Sequence, residues 1–102
     1  PKAFAFESVG RAPKDKPILC VSACLNASGL IVISVGGSTA LLPLIELKNF
    51  EETGQAQLKE ILDGTDDEWA SSEYRQDVGA VLLSRCLQKL NRDLIQRGQN
   101  EN

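Results

Sequence analysis

Residues 17–45 form an uncharged stretch in which apolar runs alternate with turn-forming segments. Short runs rich in Val, Ile and Leu, bounded by Gly, Ser and Asn, are typical of strands joined by turns. The pattern therefore predicts a β-meander. Its strands are Ile18–Leu25, Leu30–Val35 and Ala40–Ile45, and its turns are Asn26–Gly29 and Gly36–Thr39.

The flanking and central strands have their own patterns. Ala3–Val9 alternates, with Phe4 and Phe6 on one face, which predicts a first strand. Leu30–Val35 is apolar on both faces, as in a central strand covered on both sides. Pro43 lacks the N–H that a sheet ladder needs, so the last strand is expected at an edge or at a bulge.

The second half of the chain has helical periodicity. Asn49 and Glu52 have capping-box spacing and predict a helix over about 50–62. A second capping box, Thr65–Glu68, opens a segment of about 66–97, which is either one helix or two. A polar, frayed tail is expected from about 98. The apolar positions of the second segment recur every three or four residues, at Leu83, Cys86, Leu87, Leu90 and Leu94.

Together these elements predict a single α+β domain over residues 1–102. A three- to four-stranded, mainly antiparallel sheet (about 3–46) would be covered by the C-terminal helices. The uncharged stretch is also long enough to span a bilayer, so a membrane span is the alternative. The glycines, Asn26 and the Ser and Thr residues divide it into strand-length pieces and favour the sheet.

Composition narrows the functional classes. The chain has 102 residues, a net charge of −3 and no histidine. The acidic balance argues against nucleic-acid binding, and the lack of histidine removes His-based triads and imidazole metal sites. Three irregularly spaced cysteines form no disulfide framework, which predicts a reducing compartment such as the cytoplasm.

Two segments have the composition of ligand sites, but neither has the required order of residues. Gly36–Thr39 follows a strand, yet it lacks the lysine of a phosphate-binding loop and no helix pattern follows it. Asp63–Glu68 is acidic, but its acids and glycine do not follow the order of a calcium loop. No cofactor and no metal are therefore expected.

The last helix offers candidate binding residues. Arg85, Lys89 and Arg92 lie along one side of it, either as a solvated face or as a contact for the acidic residues 51–77 of another copy. Trp69 and Tyr74 are the candidate aromatic anchors, since such residues dominate interface energetics. The leading hypothesis is a non-catalytic interaction or assembly module that self-associates, with a protein as its partner.

Two alternatives remain open. Cys20, Ser22 and Cys24 share one face of a strand and could form the mildly polar wall of a small-molecule pocket between sheet and helices. Pro1 is a weak catalytic candidate, because an N-terminal proline amine can act as a general base. Tautomerase-type enzymes resemble this chain in size and in an N-terminal proline that starts a strand, which implies such a role for Pro1.

Overall fold

The computed structural model describes residues 3–9, 19–37, 42–67 and 70–100, which form four strands followed by two helices. The sheet order is β1-β2-β3-β4, and every neighbouring pair is antiparallel. This arrangement confirms the α+β class and the meander. The elements are β1 (Ala3–Val9), β2 (Leu19–Leu25), β3 (Ile31–Gly36), β4 (Ile45–Leu47), α1 (Gln55–Leu62) and α2 (Ser72–Asn100).

Strand alternation sends one set of side chains into the core. In β2, for example, Leu19, Val21, Ala23 and Leu25 are all buried, while the residues between them are half-buried. Helix α2 packs over β1 and β2, so the buried side of the sheet is the side that faces the helix. The opposite side of the sheet is not covered by any other described element.

This one-sided packing differs from the expectation for the central strand. We expected β3 to be covered on both faces because it is apolar on both. Its buried residues are Ile31, Ile33 and Val35, whereas Val32 is half-buried and Ser34 is exposed. The small number of helices explains the difference, since both helices pack on the same side of the sheet.

The first turn of the meander is a hairpin. The N–H of Gly29 donates to the carbonyl of Asn26, and the N–H of Asn26 donates to the carbonyl of Leu30, both at 2.9 Å. Gly29 has a φ of 91°, which a residue with a side chain rarely adopts. The turn therefore lies where the sequence predicts it.

The second connection is longer than predicted. Strand β4 begins at Ile45, pairs with Ile33 there, and contains only three residues. The predicted strand Ala40–Ile45 is therefore displaced towards the C-terminus, beyond Pro43, which cannot donate to the ladder. The pairing leaves β4 at the sheet edge, as expected. Residues 38–41, which include the second half of the predicted Gly36–Thr39 turn, lie outside the described residues.

Helix α1 begins five residues later than predicted. The Asn49 side chain accepts a hydrogen bond from the N–H of Glu51, and the Glu52 carboxylate accepts one from the N–H of Lys48 (2.9 and 2.7 Å). These bonds stabilise a turn and do not cap the first turn of a helix. The left-handed backbone of Gly54 (φ 70°) then separates this turn from α1, and Asp63–Gly64 ends the helix as expected.

Helix α2 is a single helix, which settles the choice between one and two. It starts at Ser72 rather than near 66, and the hydroxyl of Ser71 accepts a hydrogen bond from the N–H of Tyr74 (3.1 Å), as an N-cap does. It continues to Asn100, so the backbone of residues 98–100 is helical, and the fraying expected from about 98 stays a prediction.

Gly79 sets the distance between the two helices. A methyl group at this position would lie 3.1–3.3 Å from side-chain atoms of Leu62, Leu58 and Leu19. Contacts that short would force the leucines to move. Glycine therefore lets α1 and β2 approach the backbone of α2, which offsets its low helix propensity.

Candidate interaction surfaces

The outer face of α2 is the most extended unpaired surface of the helical layer. Among residues 72–96, whose side chains the structure describes, eight positions lie within roughly 60° of one line along the helix axis, at about 100° per residue. All eight side chains are exposed, and three of them are large and apolar, at 43%, 48% and 55% exposure for Tyr74, Val81 and Ile95. The outer face of α2 consists of Tyr74, Asp77, Val81, Ser84, Arg85, Gln88, Arg92 and Ile95.

Charges on this face are separated along the helix. Asp77 lies near the N-terminus, and Arg85 and Arg92 lie in the C-terminal half, an order that also complements the helix dipole. Among the described residues, these three side chains form no ion pair within the chain.

The predicted basic group of Arg85, Lys89 and Arg92 is divided by the structure. Lys89 points to the other side of α2, where its ammonium lies 3.0 Å from the Glu7 carboxylate of β1. Both side chains are partly exposed, so this pair adds little to stability. Lys89 thus connects the helix to the sheet, while the two arginines stay on the outer face.

The uncovered side of the sheet, here the open sheet face, is a second exposed surface. Strand pairing places Phe4 beside Cys24 and Phe6 beside Ser22, and both phenylalanines are about half exposed (58% and 49%). An exposed sheet side is normally polar, so a largely uncharged one is unusual. The open sheet face contains Phe4, Phe6, Ser8, Cys20, Ser22, Cys24, Val32, Ser34 and, at its edge, Glu46.

Cys20, Ser22 and Cys24 therefore do not lie between sheet and helices, where a pocket wall was expected. They alternate with the core residues of β2 and belong to the open sheet face, half-buried. Two grooves in the described part of the chain are shallow and open, and they run beside α2 instead. Both are lined by Gln55, Ser84 and Gln88, so they belong to the rim of the outer face of α2.

A buried arginine organises the loop between the helices. Arg75 is completely buried, and its guanidinium donates to both carboxylate oxygens of Asp67 (3.1 and 2.9 Å) and to the carbonyls of Thr65 and Ala70. A buried charge needs this kind of bidentate, fully hydrogen-bonded partner. Arg75 thereby fastens the loop to the first turn of α2, a role that the sequence analysis missed.

Asp66 completes the same loop. Its carboxylate accepts a hydrogen bond from the N–H of Ser72 (2.9 Å), and this bond lowers the pKa of Asp66 below its usual value. Thr65 is not the predicted N-cap, because its hydroxyl donates to the carbonyl of Leu62; Asp66 instead bonds to α2 from six residues before the first helical position. Trp69, the other proposed anchor in this loop, lies outside the described residues, as does Pro1.

Cys86 is a core thiol. It is fully buried, and its Sγ lies 3.3 Å from the carbonyl oxygen of Val21. Burial, with a smaller contribution from the negative charge of Glu7, raises the pKa of the Cys86 thiol to about 11. The thiol is therefore neutral at physiological pH and unsuited to nucleophilic chemistry.

Comparisons with known proteins add no functional assignment. No protein-family model, curated protein or solved structure matches the chain. In the described ranges, no cluster of His, Cys, Asp or Glu side chains is close enough to hold a metal ion, and no helix could cross a membrane.

Proposed function

We propose that this chain is a non-catalytic assembly module that binds a second copy of itself through the outer face of α2. The observation that carries the proposal is the exposure of Tyr74, Val81 and Ile95 on that face. The helix buries a separate apolar stripe in the core, and these three side chains lie outside that stripe.

The physical argument is one of surface free energy. Tyr74, Val81 and Ile95 lie along one line of the helix at separations of about 11 and 21 Å, so a second elongated element running along α2 would cover all three. Burial stabilises association by about 25 cal/mol per Å² of apolar surface. Tyrosine is also among the residues that contribute most at interfaces, and Tyr74 lies at one end of this face.

The proposal includes a reducing compartment such as the cytoplasm. Its support is that Cys20, Cys24 and Cys86 are all unpaired, and that Cys20 and Cys24 are partly accessible. Oxidising compartments tend to convert accessible thiols to disulfides.

The test is the mass of the chain in solution as a function of concentration. Sedimentation velocity from about 1 µM to about 1 mM should show a dimer forming, in the range typical of weak interfaces. Val81→Asp places a charge at the centre of the outer face and should keep the chain monomeric. Circular dichroism should confirm that the variant is folded.

Ser34→Asp is the matched control, because it introduces the same charge on the open sheet face. It should dimerise like the unsubstituted chain. A chain that stays monomeric over the whole range contradicts self-association. If Ser34→Asp prevents dimerisation and Val81→Asp does not, the second copy binds the sheet and the role given to α2 is wrong.

A further inference from the structure

We infer that the second copy docks antiparallel along the outer face of α2. The twofold axis of this dimer passes between the two helices, at the level between Ser84 and Arg85. This inference rests on the proposed self-association and adds its orientation and register. It comes from the order of the eight exposed residues on that face. A symmetric dimer requires that if residue i contacts residue j of the partner, j also contacts i.

The positions on this face are symmetric about the midpoint of the set. The helix rises about 1.5 Å per residue, so Asp77 and Arg92 each lie about 11 Å from that midpoint, on opposite sides. Every member of the face has a counterpart at the same distance. The pairs are Tyr74 with Ile95, Asp77 with Arg92, Val81 with Gln88, and Ser84 with Arg85.

Charge selects the antiparallel orientation. In that orientation Asp77 of each copy lies at the level of Arg92 of the other, so the symmetry creates two attractive pairs. A parallel arrangement in the same register would instead bring Asp77 to Asp77 and Arg92 to Arg92, which is repulsive. Neither residue has an ion-pair partner inside its own chain among the described residues, so pairing across the interface breaks no ion pair of that part of the chain.

The apolar residues fit the same register. Tyr74 meets Ile95 at both ends of the contact, and Val81 packs beside the aliphatic part of Gln88 on either side of the axis. Ser84 is small and lies next to the axis, where it permits a close approach of the two helices. The aromatic–aliphatic contacts at the two ends supply most of the apolar surface that becomes buried.

Two features limit the affinity. The contact extends from residue 74 to residue 95, about 32 Å of helix, which gives an interface at the small end of the specific range. Both Arg85 side chains also lie near the axis, and they must extend away from each other into solvent. We therefore expect a weak dimer with a dissociation constant in the micromolar range or above.

A charge-exchange experiment tests the register. Asp77→Arg alone and Arg92→Asp alone each replace two attractions by two repulsions, so each variant should dimerise at least about tenfold more weakly. Mixing the two single variants should restore association, because both contacts of the mixed dimer are attractive. The double variant Asp77→Arg/Arg92→Asp should also dimerise with nearly the original affinity.

Glu46→Arg and Lys48→Glu are the matched controls, since they make the same charge changes at exposed positions in and next to β4. Both should dimerise normally. If the unsubstituted chain dimerises and Val81→Asp prevents it, but the single charge variants are unaffected or their mixture does not associate, the register is wrong and self-association through α2 stands. If the unsubstituted chain does not dimerise, both proposals fall.

Discussion

Cys86 makes the stability of the chain depend on alkaline pH. Its pKa is about 11 in the folded chain, against an ordinary value of 9.0. Between these values the unfolded chain loses the thiol proton while the folded chain keeps it, so ionisation favours unfolding. The contribution of Cys86 to the free energy of unfolding should be constant below about pH 9 and should fall by up to roughly 3 kcal/mol by pH 11.

Urea unfolding of the chain and of Cys86→Ala, each at several pH values, checks this expectation. The variant loses buried volume and should be less stable throughout. Its stability should nevertheless fall less between pH 9 and 11, because the variant has no Cys86 thiol to ionise. Parallel pH profiles for the two proteins would show that the Cys86 thiol ionises as easily in the folded state as in the unfolded state.

The sequence predicts the burial of individual apolar residues better than the burial of a charged one. Helical spacing correctly placed Leu83, Cys86 and Leu90 in the core. The same spacing extends back through Gly79 to Arg75 and could have predicted a buried arginine. A charged residue in an acidic segment is normally solvated, so its burial follows only from Asp67 and the two loop carbonyls, which tertiary structure brings together.

At the scale of elements, capping motifs identified the right segments but not the right boundaries. The Asn49–Glu52 motif forms its hydrogen bonds around a turn, because Gly54 interrupts the helix before it can propagate. In the loop before α2, Asp66 reaches forward to Ser72. Residue type shows that a side chain can bond to nearby backbone groups. Whether the bonded backbone forms a turn or a helix depends on how the segment packs.

The loop between α1 and α2 depends on the buried Arg75. Arg75→Met keeps the aliphatic stem but removes the buried guanidinium that donates to Asp67 and to the carbonyls of Thr65 and Ala70. Loss of one partner of a buried ion pair typically costs about 3–5 kcal/mol. Asp67 is partly exposed here, so we expect the free energy of unfolding to fall by about 3 kcal/mol.

Chemical denaturation of Arg75→Met, compared with Lys48→Met, provides the measurement. Lys48 is exposed, so its replacement by the same residue should change stability by less than about 0.5 kcal/mol. Equally small losses in the two variants would mean that the loop is held by its backbone contacts and that the arginine is dispensable.

At the scale of the whole molecule, the alternation of apolar and polar residues predicted the sheet but not which side of it the helices leave open. Both sides of β2 and β3 carry few polar residues. The side carrying the larger aliphatic residues, such as Leu19 and Ile33, became the core, while Cys20 and Ser34 lie on the other side. The structure was also needed to identify the exposed face of α2, because the helical period of the sequence does not show which stripe of residues packs inward.

Thiol labelling can test which side of the sheet is covered by the helices, because two cysteines lie on the open sheet face and one lies in the core. With an excess of a thiol reagent, intact-mass measurements should show two labels added early to the native chain. The third label should be slower by several orders of magnitude, because Cys86 becomes accessible only when the domain opens. In the Cys86→Ala variant the slow phase should be absent.

Repeating the labelling at low and high protein concentration distinguishes the two surfaces. A partner bound to the outer face of α2 leaves the opposite side of the sheet in solvent, so the labelling rates of Cys20 and Cys24 should not change with concentration. A partner bound to the sheet would cover both thiols and slow both rates as the dimer forms. Rapid labelling of all three thiols in dilute protein would mean that the core around Cys86 is not closed.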